Sequence, residues 1–260
     1  MPRHVDAWID SVQLSSIGPF MISQVSEDAP ALEISEAARP ARYGSRLMGV
    51  KRQSLKVTLE AVIRERFDLS LRAAHMEALA AWAQGSANST EHVLELSHRP
   101  LRRLHVVCTS EPTLGAVRDY TQPIRMEFTA HAVPYWEDIT ATTAAASGES
   151  GTCALVVPGS ALTPVDLTVI PTGGKLTSFS ATLGAQHIDL SGLNVPQNGT
   201  LTFWHDFRDD MLITYGAVSL LSKRSAASSD DLLAAPGARS LTFEANTACS
   251  VTLSVRGRWA

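Results

Sequence analysis

From Leu55 to Ile63 the chain alternates, with Leu55, Val57, Leu59, Ala61 and Ile63 apolar and Lys56, Thr58 and Glu60 polar. A period of two sends the two sets to opposite faces of an extended backbone, which predicts a strand with one buried and one wet face. Only Val62 breaks the outward set. The same signature returns at Ile124, Met126 and Phe128, which alternate with Arg125, Glu127 and Thr129, and at Leu104, Val106 and Cys108, which alternate with Arg103 and His105. Further on it marks Val165-Leu167-Val169, Leu201-Phe203 and Val251-Leu253-Val255. A chain patterned in this way folds mainly as β-sheet.

One segment departs from that period. After Asp68, a suitable N-cap, Leu71, Ala74, Ala78, Leu79 and Trp82 fall on one helical face, and Gly85 stands where a glycine stops a helix. The spacing predicts a helix over about residues 68–84, laid across a sheet formed by segments before and after it. His75 on this face reads as packed rather than as a metal ligand.

Pro134-Tyr135-Trp136-Glu137-Asp138 closes the first β-rich half. Thr140 to Thr152, almost entirely Thr, Ala, Ser and Gly, has no apolar periodicity and reads as a mobile linker or an exposed loop. The predicted organisation is therefore a β-sandwich-like domain with one helix over residues 1–139, a linker over 140–152, and a second β-sandwich over 153–260. Turn signals at Gly173-Gly174, Asn198-Gly199 and Pro236-Gly237 punctuate the second half, whose short, regularly spaced strands suggest the sandwich. No internal repeat indicates a solenoid or propeller.

Composition narrows the functional classes. With 260 residues, 45% of them apolar, the chain can bury two cores. No apolar run approaches the length of a membrane span and the first residues lack the apolar core of a secretory signal, so the expectation is a cytosolic protein without membrane insertion. Cys108, Cys153 and Cys249 are odd in number and widely spaced, as expected of reduced thiols. Residues 1–140 hold 15 Lys and Arg against 17 Asp and Glu, and residues 141–260 hold 7 against 9, so neither half makes a nucleic-acid grip. The stretch from Arg39 to Arg66 is an exception, with eight basic residues against Glu60 and Glu65. Arg42, Arg46, Lys51 and Arg52 in it are candidates for a subunit or partner interface; the alternative is a solvated strand face.

Templates for catalysis fail on spacing. Gly173-Gly174-Lys175 lacks the upstream glycine and following helix of a phosphate loop, and Gly159-Ser160 lacks the second glycine and strand-turn-helix of a nucleophile elbow. The eight histidines include no His-x-x-x-His pair on a helix. Asp209-Asp210 and Asp230-Asp231 read as solvated turns, because neighbouring residues on a strand point apart. Asn88-Ser89-Thr90 and Asn198-Gly199-Thr200 match the glycosylation pattern by chance. Trp204-His205-Asp206-Phe207-Arg208 offers an indole that can stack on a sugar ring beside polar groups that can bond its hydroxyls, making Trp204, His205 and Arg208 candidate sugar-binding residues. No catalytic residue, metal site or cofactor is predicted.

With that organisation in view, the chain resembles the distal tail protein family of long-tailed, non-contractile bacteriophages. In the first half the resemblance is carried by Arg42-Tyr43-Gly44-Ser45-Arg46, the basic-led strand from Arg52 to Ile63, the helix ending in Leu79 and Trp82, Arg99-Pro100 before the strand at Arg103 to Val107, and Phe128 before Pro134-Tyr135-Trp136. In the second half it is carried by Pro164-Val165-Asp166-Leu167, Ile188-Asp189-Leu190, Leu232 to Gly237, and the strand from Val251 to Trp259 with Arg256 and Arg258. The resemblance implies a galectin-like C-terminal sandwich and a non-enzymatic virion role. Such proteins form a homo-hexameric ring through the first domain, joining the tail tube to tail-tip or tail-associated proteins, while the galectin-like domains project outward. It implies assembly in the bacterial cytoplasm and residence in the virion tail. The second half lacks the His-x-Asn-x-Arg and Trp-Gly-x-Glu signature of sugar-binding galectins. The rival functions are a carbohydrate-binding host-adhesion module and a hydrolase with an unrecognised site.

Overall fold

The computed structural model describes residues 5–38, 45–64, 69–85, 91–114, 121–206 and 208–260. The chain divides into two units, Met1–Trp136 and Glu137–Ala260. The first contains β1 (Ala7–Ile9), β2 (Val12–Gln13), β3 (Phe20–Asp28), β4 (Leu32–Ala38), β5 (Ser45–Arg52) and β6 (Leu55–Arg64). The helix α1 (Leu69–Gln84), β7 (His92–Leu96), β8 (Arg102–Leu114) and β9 (Thr121–Ala130) follow. Short β10 (Trp136–Asp138) spans the unit boundary.

Main-chain pairing in the first unit runs β2-β1-β7-β8-β9-β6-β3. Alternation dictates its core: Val57, Leu59, Ala61 and Ile63 of β6 are fully buried, as are Met126 and Phe128 of β9 and Leu104 and Val106 of β8. Cys108, expected to continue the buried set, is only half-buried. It still pairs with the buried Phe128, and directly beyond it a bulge between Cys108 and Ser110 slips the register against β9 and ends the regular alternation. β4 and β5 form a separate two-stranded sheet, where Leu32 and Ile34 are exposed.

Helix α1 occupies the predicted span, but its apolar face is shorter than predicted. Leu79, Trp82 and Ala83 are buried, whereas Leu71 is 47% exposed. Trp82 anchors the C-terminal end: its ring meets Phe128 edge-on at 6.3 Å and its indole N–H donates to the Val12 carbonyl at 2.7 Å. His75 packs edge-on against Phe20, as its position on the helix suggested. Gly85 ends the helix with φ +64°, and a Cβ there would collide with the His92 ring. Asp68 lies outside the described residues.

The second unit holds β11 (Thr142–Val157), β12 (Thr163–Pro171), β13 (Leu176–Leu183), β14 (Gln186–Val195), β15 (Leu201–His205) and β16 (Met211–Tyr215). Then come β17 (Val218–Ser219), β18 (Leu233–Ala234), β19 (Gly237–Val255) and β20 (Arg258–Trp259). The segment read as a mobile linker is in fact β11, sixteen residues of strand paired antiparallel with β19 from Thr142↔Val255 to Val157↔Gly237. Its inward residues are mostly small, which hides the alternation in the sequence: Cys153 and Val157 are buried and Ala144, Ala146 and Leu155 pack against the core, while the ladder to β19 orders the strand at its edge position.

β11 and β19 serve two sheets. The first half of β19 lies between β11 and β13, giving the order β14-β13-β19-β11, and its second half lies between β11 and β12, giving β11-β19-β12-β15-β16-β17. The crossing is marked by a register break between Gly148 and Ser150. At that corner Asn246 replaces ladder bonds with its side chain: Oδ1 accepts from the N–H groups of Thr177 and Ser178 at 2.7 and 3.0 Å, and Nδ2 donates to the Lys175 carbonyl. Phe179 of one sheet stacks on Phe243 at 6.2 Å and tilts against Phe203 of the other at 5.6 Å, closing the sandwich. Mainly β architecture with a galectin-like sandwich is thus the observed fold.

Two outcomes follow. Phe203→Ala should destabilise the second unit by about 3–5 kcal/mol, read from its denaturant midpoint. Native-state hydrogen exchange should show protected amides within residues 142–157, as expected of a paired strand rather than a linker.

Candidate functional site

The Trp204–Asp210 segment leaves β15 and returns into β16 with Trp204 opposite Leu212 and His205 opposite Met211. Adjacent strand residues face opposite ways. Trp204 is accordingly 41% exposed, whereas only 5% of the His205 side chain reaches solvent. Both ring nitrogens of His205 are engaged, Nδ1 with Asp166 Oδ1 at 3.0 Å and Nε2 with Asp231 Oδ1 at 2.6 Å. Burial alone would depress its pKa, but hydrogen bonds from the ring to Asp166 and Asp231, with the charges of both carboxylates, push it up to about 9. An imidazolium held at both nitrogens by carboxylates has no free nitrogen with which to accept a proton at neutral pH.

The next residues close a compact turn. Asp206 Oδ1 accepts from the N–H groups of Arg208 and Asp210 at 2.8 and 3.0 Å, and Arg208 is exposed. Phe207 lies outside the described residues. Asp209, held at φ +70°, accepts both terminal nitrogens of Arg258 at 2.7 and 2.6 Å, while Arg258 Nε donates to Glu137 at 3.1 Å. The Arg258 side chain is 6% exposed, so this fork is a desolvated, doubly paired cation. Asp209 and Asp231 are therefore ion-pair partners rather than the solvated turn residues expected, and of the candidate sugar-binding residues Trp204 and His205 face opposite ways while Arg208 is exposed. Sequence spacing offered no route to Asp166, Asp231, Glu137 or Arg258, which lie tens of residues from the groups they hold.

In the first unit Arg52 places its guanidinium over the Tyr135 ring at 5.4 Å. Arg42 lies outside the described residues, as do the side chains of Arg46 and Lys51 on β5. Nearby in type, Arg99 covers the Trp136 ring at 5.1 Å and pairs with Glu27 at 2.7 Å, while Trp136 Nε1 donates to the same carboxylate at 3.1 Å. Burial would raise the Glu27 pKa, yet the hydrogen bonds from Arg99 and His98 hold it below the usual carboxylate range.

Neither a protein-family model nor a curated protein matches the chain. Solved structures do. The Dit (gp 19.1) protein of phage SPP1, described as a paradigm of the hub adsorption apparatus in phages infecting Gram-positive bacteria, superposes with a TM-score of 0.72 at 12% identity, over 97% of this chain and 98% of that one. This chain has the fold of that phage hub protein. A chain of the phage P2 baseplate in its activated conformation with Ca matches at TM-score 0.54 and 9% identity, over 97% of this chain and 98% of that one. The corresponding Sr form matches at 0.51 and 8%, over 97% of each chain. The match to the SPP1 protein covers 97% of this chain and so includes both units.

The His205 clamp has a defined pH signature. Its folded pKa is raised from about 6.5 to about 9, so its contribution is complete below pH 6.5 and is lost as pH rises through 9. His205→Ala should lower stability below pH 6.5 by roughly 2 kcal/mol and leave a much smaller difference at pH 10, as measured by denaturation across pH. Arg258→Ala, which strands Glu137 and Asp209, should cost about 3 kcal/mol in the same assay.

Proposed function

We propose that this protein is the structural hub at the distal end of a long, non-contractile phage tail, a homo-hexameric ring that joins the tail tube to tail-tip or tail-associated proteins. The carrying observation is the end-to-end match to the SPP1 Dit hub, which covers 97% of this chain and includes both units. A ring demands two different complementary faces on each subunit, and charge segregation supplies a candidate: residues 39–66 carry eight basic and two acidic residues within a half that is acidic overall. Arg42, Arg46 and Lys51 of that stretch are proposed to meet an acidic neighbour, with Arg52 held against Tyr135 at its base. The protein acts through assembly rather than catalysis, is made in the host cytoplasm and resides in the virion tail. A second reading, host adhesion through the second unit, is favoured by the exposed indole of Trp204.

Light scattering and particle images of the purified protein, alone and with its tail-tip partner, should show a species six times the 27.9 kDa chain mass. Monomers under both conditions would refute the ring. Reversing Arg42, Arg46 and Lys51 to Glu should weaken assembly and change its salt dependence while the melting transition is kept. Assembly indifferent to the triple change would assign these residues to solvated surface.

A further inference from the structure

Strand register builds an ordered polar surface on the outer face of the β14-β13-β19-β11 sheet. Thr152 lies opposite Thr242, Thr242 opposite Thr182, and Thr182 opposite His187, making one rung of four across the sheet. The neighbouring rung is Ser150, Glu244, Ser180 and Asp189. These side chains are possible there because Phe179, Ala181, Leu241 and Phe243, their alternates in β13 and β19, all face the core. Gly151 lets β11 close in, since a Cβ would come within 2.8 Å of the Phe243 ring. Over the two rungs lies a groove of about 390 Å³, lined by Ser150, Thr152, Ser180, Thr182, His187 and Glu244 among others.

The chemistry of this groove is selective. Each Ser or Thr hydroxyl both donates and accepts, the Glu244 carboxylate accepts only, and His187 can do either; its Nδ1 lies 2.9 Å from Thr182 Oγ1. That mixture matches a ligand whose own groups are hydroxyls. Its described lining carries a carboxylate and neither lysine nor arginine, with Asp189 at the end of the second rung, which disfavours phosphates, sulfates and uronic acids. It also lacks an apolar anchor for a protein partner, because Phe243 is only 2% exposed. Strand spacing spreads a rung over about 14 Å and separates the rungs by about 7 Å, a footprint for a few pyranose rings lying across the strands.

We propose that this groove is a binding site for a neutral saccharide, with the hydroxyls of Thr182, Thr242, Ser150 and Ser180 and the carboxylate of Glu244 as its hydrogen-bonding groups. Without an aromatic platform a single site binds weakly, in the millimolar range, and copies arrayed on one ring raise the avidity by about 10²- to 10⁴-fold. The proposal rests on the reading of the second unit as a host-adhesion module, and its ring enhancement on the hub reading.

Saturation-transfer NMR on the full chain with millimolar lactose, maltose and chitobiose tests it. At least one disaccharide should receive saturation, and Thr182→Val/Thr242→Val, which keeps branched side chains on an exposed face, should weaken binding about tenfold with the melting transition unchanged. Ser180→Ala provides the same reading should the double variant fail to fold. Three results would overturn the site: no transfer from any of the three sugars, undiminished binding in a folded variant, or binding abolished by Trp204→Ala instead. Equal or tighter binding of glucuronic acid would overturn the charge argument. Light scattering on the same samples separates the two readings, since a ring that binds no sugar defeats only this site and a monomer that binds it defeats only the ring.

Discussion

The antiparallel pairing of β11 with β19 holds the second unit together, because each of these strands belongs to both sheets of its sandwich. Two sheets joined only by loops must be aligned by side-chain packing alone. Here the backbone ladder itself passes from one sheet to the other through the break at Gly148–Ser150, and Asn246 supplies the hydrogen bonds that the bend removes from the ladder. The Phe179, Phe203 and Phe243 cluster then fills the space that this continuous frame encloses. Loss of the pairing would expose the core and both sheet edges at once.

Buried charge complements this frame. Arg258 is shared between Asp209 and Glu137, and His205 between Asp166 and Asp231, so each desolvated cation meets two carboxylates. A buried cation with one partner removed is costly, which makes these clusters specific about which loop lies against which strand even where their net stabilisation is small. The turn from Trp204 to Asp210, the stretch of sequence richest in apparent chemistry, is tied down by them. Its polar residues hold the end of β15 to the start of β12, to the segment before β18, and to β20.

The match to SPP1 Dit at 12% identity has a simple physical basis. A sandwich requires apolar residues at alternate positions and turns at set intervals, and leaves their identities and the outward residues open. Outward residues are therefore where relatives of one fold differ in partner and ligand. In this chain two outward rungs of the β14-β13-β19-β11 sheet carry hydroxyls, two carboxylates and an imidazole, and the stretch around β5 is basic in sequence.

By itself the sequence determined the alternating strands, since a period of two is written directly into Leu55–Ile63, Ile124–Phe128, Val165–Val169 and Val251–Val255, and these residues are the buried ones. It also determined the helix and its Gly85 stop, which depend on neighbours within a few residues. Tertiary structure alone decided that Thr142–Val157 is a strand, because an edge strand of small residues draws its order from a ladder partner some hundred positions away. It decided equally that His205 faces two aspartates while Trp204 faces solvent, and that eight polar residues from four strands line up in two rungs. Local sequence records which face a residue prefers; only register across the sheet sets what it stands beside.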